Sequence, residues 1–236
     1  MMPAMSPPSP PVRALVFDVF GTLVDWRRGV AREVRATLGD AIDAEAFADA
    51  WRDEYQPAME EVRAGRIGFC KLDVLHRRNL DRVLARLGAD PDEATRAQLN
   101  LAWHRLDAWP DVTPALARLG TKFLLAPCSN GNISLMADLA RRNSWRWDAI
   151  LGAEHARDYK PKLSVYRAAA DAFDCAPHEV LMVAAHSSDL DAAARAGLRT
   201  AFIARPDEHG PGRGETTCSV PVDIAAHDLA DLARRL

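Results

Sequence analysis

The chain has 236 residues, 48% of them hydrophobic and 27% charged, with a formal net charge of -3 at pH 7. That length allows one large domain or a core carrying a sizeable insertion, and the apolar fraction is ample for a buried core. A slightly acidic balance gives no electrostatic reason to expect a nucleic-acid partner, and no run of about 18 apolar residues indicates a membrane span.

In chain order, the opening MMPAMSPPSPP lacks a basic start and an apolar stretch of signal-peptide length; its prolines predict a disordered or extended lead-in over 1–11. Next comes RALVFDV (13–19), an apolar run without polar alternation, as expected of a parallel strand covered on both faces. Similar runs follow at 122–129, 149–152, 179–186 and 199–204, separated by helix-like segments at 132–142, 162–173 and 189–196. Strand alternating with helix predicts a doubly wound, Rossmann-like α/β sheet, in which ligands bind beyond the carboxyl ends of the strands. Asp18, Ser129, Asn130 and His186 fall at those ends.

Residues 26–106 break the rhythm. Amphipathic patterns at 30–39, 44–65 and 71–88, with Gly39, Gly65 and Gly88 as stops, predict an all-helical insertion after the first strand. The segment 107–120 then returns the chain through a turn and a helix. The expected division is a core of 12–25 and 107–236 with a helical cap of 26–106. Cys70, Cys128, Cys175 and Cys218 are scattered, with no CxxC pair and no histidine at ligand spacing, so free thiols in a cytoplasmic protein are expected.

Four stretches carry the chemistry: FDVFGTLVD (17–25), LLAPCSNGN (124–132), DYKPKLSVY (158–166) and VAAHSSDLDAAARAGLRTAFIAR (183–205). In this order they resemble the four motifs of the haloacid dehalogenase superfamily, over about residues 12 to 205, and each motif alone would be weak. The resemblance implies that Asp18 is a covalent nucleophile. Superfamily phosphatases carry a second acid two residues later, which protonates the leaving alcohol. Here that place is Phe20, and a phenyl ring transfers no proton. An aromatic at this place resembles the L-2-haloacid dehalogenases, whose halide leaving group needs none.

That family implies hydrolysis of short 2-haloalkanoic acids to 2-hydroxy acids and halide, through an aspartyl ester with inversion at the α-carbon. Thr22 would orient Asp18, Lys160 would keep it ionised, and Asp189 would pair with Lys160 and help place water. Ser129 and Asn130 would hold the substrate carboxylate. Val19, Phe20, Phe69 and Tyr166 would border the substrate. Arg52, in the Trp-Arg pair of DAWRDEY (49–55), would receive the halide, since a guanidinium stays charged and is weakly hydrated. For Tyr166, packing against the sheet is an equal alternative.

The fourth motif departs from the family. Dehalogenases of this group read Ser-Ser-Asn-Ala-Trp-Asp where this chain has AAHSSD (184–189), so His186 stands where an asparagine is linked to water activation. A histidine can orient or deprotonate water near neutrality. No cofactor and no metal are implied, and the resemblance extends to a homodimer. The alternative on the same fold is a magnesium-dependent phosphomonoesterase.

Overall fold

The computed structural model describes residues 11–40 and 42–236. The disordered lead-in expected at 1–11 therefore lies, but for Pro11, outside the described residues. Among the described residues, six parallel strands form one sheet in the order β3-β2-β1-β4-β5-β6. They are β1 (Ala14–Phe17), β2 (Leu124–Ser129), β3 (Leu151–Gly152), β4 (Val180–Ala184), β5 (Arg199–Ile203) and β6 (Ile224–Ala226). The short β6 had no apolar run to announce it.

Strands β1 and β4 are buried along their whole length, which explains their unbroken apolar sequence. Alternate residues feed two clusters: Leu15 and Phe17 pack on one side of the sheet, Ala14 and Val16 on the other. Because the chain leaves β1 toward β2 and β3, then crosses back to β4, β5 and β6, the order reverses between β1 and β4. That reversal splays the connecting loops apart and opens a crevice at the strand ends. Asp18 and His186 stand on either side of it.

Between β1 and β2 run α1 (Trp26–Leu38), α2 (Ala44–Asp53), α3 (Tyr55–Arg63), α4 (Leu72–Arg86), α5 (Glu93–Asn100), a 3-10 turn (Leu101–Arg105) and α6 (Val112–Leu119). Asp25, Asp43 and Asp92 cap α1, α2 and α5 by accepting from backbone N–H groups at 2.8–3.1 Å, each worth about 1 kcal/mol. The pattern at 44–65 does not form one helix. Pro57 has no N–H for the Asp53 carbonyl and its ring crowds that carbonyl, so the chain breaks at Glu54. The remaining helices, α7 (Ile133–Arg142), α8 (Ala153–Ala156), α9 (Leu163–Asp171), α10 (Ser187–Arg195) and α11 (Leu229–Arg235), cover the sheet. Among the described residues no helix is long and apolar enough to cross a membrane, and all four cysteines are free.

Candidate active site

Asp18 is the first residue past β1, and its amide still donates to the Val183 carbonyl of β4 at 3.0 Å, which holds it at the rim of the crevice. Its carboxylate is held at both oxygens. Oδ1 accepts from Lys160 Nζ at 2.8 Å; Oδ2 accepts from Thr22 Oγ1 at 2.7 Å and faces His186 Nδ1 at 3.1 Å. Burial alone would raise the Asp18 pKa, but the Lys160 charge and the His186 hydrogen bond hold it far below the usual carboxylate range. The group is a buried, ionised carboxylate.

Lys160 lies in the loop between α8 and α9. Its ammonium also donates to Asp189 Oδ2 at 2.6 Å, and its amide donates to Asn130 Oδ1 at 2.9 Å. Burial works against its charge, yet the two flanking carboxylates keep its pKa above the ordinary lysine value. Behind it, Tyr166 donates its hydroxyl to Asp189 Oδ1. Two acids around one base therefore leave one negative charge, which His186 meets from the other side.

His186, between β4 and α10, bridges Asp18 to Glu208, whose Oε2 lies 2.8 Å from Nε2. Burial opposes its charge, but the two carboxylates win and its pKa is pushed up to about 10. Glu208 is only 2% exposed and also accepts from Trp26 Nε1 at 3.1 Å. Sequence reasoning missed this glutamate. It stands in the polar stretch PDEHG after β5, where an acid looks like any solvent-facing loop residue.

Across the crevice, Phe20 and the α2–α3 junction form the opposite wall. The Arg52 guanidinium lies over Tyr55 at 4.1 Å, Trp26 at 5.2 Å and Phe20 at 5.9 Å. It makes no ion pair among the described residues, and its Nη1 has no hydrogen-bond partner there. Stacking keeps the charge while leaving it unneutralised, as an anion receiver requires. The cavity between these walls measures about 680 Å³ and is bordered by Asp18, Phe20, Arg52, Asn130, Lys160, His186, Asp189 and Glu208.

Four residues expected against the substrate have side chains that do not border the cavity. The Val19 and Ser129 side chains are fully buried and do not border the cavity; the Ser129 hydroxyl accepts from the Gly131 amide at 3.1 Å and shapes the turn beneath Asn130. Tyr166 lies behind Asp189 and donates its hydroxyl to it. Phe69 packs on Tyr159 at 5.5 Å with the Arg157 guanidinium 4.5 Å above it. Each of these side chains turns away from the cavity or sits one layer back.

The family model of haloacid dehalogenase-like hydrolases matches residues 12–197. The chain belongs to that family. It is 29% identical to (S)-2-haloacid dehalogenase 1 of a Pseudomonas species (strain CBS-3), over 83% of this chain and 86% of that relative. Among solved structures, a defluorinating L-2-haloacid dehalogenase superposes with a TM-score of 0.92 at 44% identity, covering 95% of both chains. The L-2-haloacid dehalogenase of Xanthobacter autotrophicus, solved with chloropropionic acid covalently bound, superposes at 0.80 with 26% identity, over 94% of this chain and 97% of that one.

Proposed function

We propose that the protein is a hydrolytic dehalogenase of short (S)-2-haloalkanoic acids, in which Asp18 displaces halide with inversion and the resulting ester is hydrolysed. The observation that carries this reading is the pairing of Phe20 with Arg52. Beside an ionised carboxylate nucleophile, the place of a proton donor is taken by a ring that lies under an unneutralised guanidinium. Such a wall suits a leaving group that departs as an anion and needs no proton.

The remaining roles follow from position. The Asn130 carboxamide spends its oxygen on the Lys160 amide, which leaves its NH2 facing the cavity for the substrate carboxylate. Backside attack by Asp18 then breaks the carbon–halogen bond, and Arg52 receives the halide. Water attacks the Asp18 carbonyl carbon of the ester. The backbone N–H groups of Val19 and Phe20 take no acceptor among the described residues and would hold the oxygen that becomes negative. Lys160 and Thr22 keep the carboxyl oriented through both steps.

The proposed organisation is a core of 12–25 and 107–236 closed by a cap of 26–106, with the cap supplying Arg52 and excluding bulk water. We further propose a cytoplasmic homodimer; the free thiols support the compartment, and Val74, exposed on α4, with Leu87, exposed just past its end, support a docking face.

The test is halide release from (S)-2-chloropropanoate with chelator and with Mg²⁺, beside a generic phosphate ester. Equal chloride in both conditions, abolished in Asp18→Asn, is expected. Phosphate release that requires Mg²⁺, without halide, would establish the phosphomonoesterase instead.

A further inference from the structure

His186 faces a carboxylate at each ring nitrogen, Asp18 Oδ2 at Nδ1 and Glu208 Oε2 at Nε2. Two carboxylate acceptors call for two N–H donors, so the resting ring is an imidazolium. The pKa of about 10 agrees. An imidazolium takes no proton from water. The residue best placed to activate water is therefore in the wrong protonation state for that task until something changes.

We propose that esterification of Asp18 itself turns His186 from counter-ion into general base, and that Glu208 is the positioning residue that holds the ring and keeps Nε2 protonated through the change. This rests on the dehalogenase reading. Once Asp18 is an ester it carries no charge, and one of the two anions that retain the imidazolium protons is gone. The Nδ1 proton is then the one released, because Nε2 still faces a carboxylate. The bare Nδ1 is left 3.1 Å from the place of the ester it must serve.

Glu208 is built for this role. Trp26 Nε1 fixes its other oxygen at 3.1 Å, and Gly21 makes its seat. Gly21 has a φ of +84°, and a Cβ there would lie 2.0 Å from Glu208 Oε1. Burial would raise the Glu208 pKa, but His186 holds it below the ordinary value, with Arg52 and His209 adding to the effect. The other charges around the ring are Lys160 on Asp18, Asp189 beyond it, and Glu215 against Ser187. None of these changes when the ester forms. The His186 side chain is 23% exposed, on the cavity side, which gives its proton a path to solvent.

The steps balance. Asp18 carboxylate forms a carbon–oxygen bond as the carbon–halogen pair leaves with halide; His186 then releases its Nδ1 proton to solvent. Water adds to the ester carbonyl carbon and gives one proton to Nδ1. Collapse breaks the bond between that carbon and the alkyl oxygen, and the departing alkoxide takes the remaining water proton. Asp18 is again a carboxylate, His186 again an imidazolium. In total, haloacid and water give hydroxy acid, halide and one proton, and that proton appears with the ester rather than with its hydrolysis.

The experiment mixes wild-type enzyme rapidly with excess (S)-2-chloropropanoate and a pH indicator in weak buffer at neutral pH, with quenched samples weighed intact for the Asp18 adduct. One proton per active site released in the phase that forms the adduct is the expected result. His186→Gln should lose that burst. Glu208→Gln should keep a first turnover of halide, accumulate the adduct, and slow its breakdown by ~10²-fold or more, the size of a lost general base. Proton release that tracks hydroxy acid instead, or normal adduct breakdown in Glu208→Gln, overturns the proposal while leaving the dehalogenase reading intact. Absence of both halide and adduct overturns the two together. The wild-type measurement needs no variant to fold.

Discussion

His186 borders the cavity at the strand ends, His76 lies behind Phe20 and Tyr55 among the cap helices, and their pKa values are shifted in opposite directions. His76 is 1% exposed and stacks on Trp103 at 4.4 Å, with Tyr55, Phe20 and Trp51 around it. Neither of its ring nitrogens has a hydrogen-bond partner among the described residues. Burial pushes its pKa down to about 3, whereas two carboxylates push that of His186 up to about 10. Burial penalises charge in both places; at the strand ends two hydrogen-bonded carboxylates outweigh it, whereas the Asp73 charge near His76 offsets it only in part. Around Arg52 the cap wall is thus an aromatic frame that leaves the guanidinium without an ion pair among the described residues, and the core wall is a compensated network of acids and bases. In the proposed mechanism a halide leaves toward the first, and proton chemistry happens at the second.

The sharpest way to break this division is at the nucleophile. Asp18→Asn should reduce halide release by ~10⁴-fold or more, as loss of a nucleophile does elsewhere, with folding intact by circular dichroism. A smaller loss would move the chemistry off the core wall. Next, Lys160→Met leaves Asp18 and Asp189 buried without their shared cation. Breaking a buried pair in this way costs ~3–5 kcal/mol, which urea denaturation would read at neutral pH.

On the cap side, Trp103→Ala should cost about 3 kcal/mol by opening a cavity in the aromatic frame, while Asp18 still forms its ester. An unchanged urea midpoint would show that the frame is not a packing unit. The titrations separate the two walls directly. Histidine ¹⁵N spectra should show His186 doubly protonated at pH 8 and His76 neutral at pH 5. The stability that His186 contributes is fully present below its unfolded value near 6.5 and is lost as pH rises through about 10. For His76 the sign reverses: its neutral burial costs stability as pH falls below 6.5 toward about 3. Comparing the urea midpoints of His186→Gln and His76→Gln across pH would expose either sign. The smallest effect is expected from Phe69→Ala, with halide release within about two-fold of wild type, because its ring packs on Tyr159 outside the cavity. A tenfold rise in KM would return Phe69 to the substrate wall.

Much of this architecture was readable beforehand. Parallel strands covered on both faces must be apolar throughout, so β1, β2, β4 and β5 stood out, and the loss of alternation at 26–106 announced helices. The break at Glu54 was missed, because the amphipathic pattern runs straight across Pro57. The two-residue β3 and the β6 of ordinary composition gave weaker signals or none, because their pairing comes from neighbours rather than from their own residues.

The sequence by itself marked the candidate reactive groups. Asp18, Lys160 and Asp189 occupy motif positions, and Phe20 excludes a proton donor by its chemistry alone. Only the tertiary structure decided who faces whom. A strand-end position does not say which way a side chain turns, so Ser129 and Tyr166 could be placed at the site but not seen to lie beneath it. Glu208 is the clearest case. It is 190 residues from Asp18 in the chain, with no local pattern to mark it, and only the meeting of β1, β4 and the loop after β5 puts a second carboxylate on His186. Charge states depend on such meetings, because a pKa is set by distances in space that the order of residues does not contain.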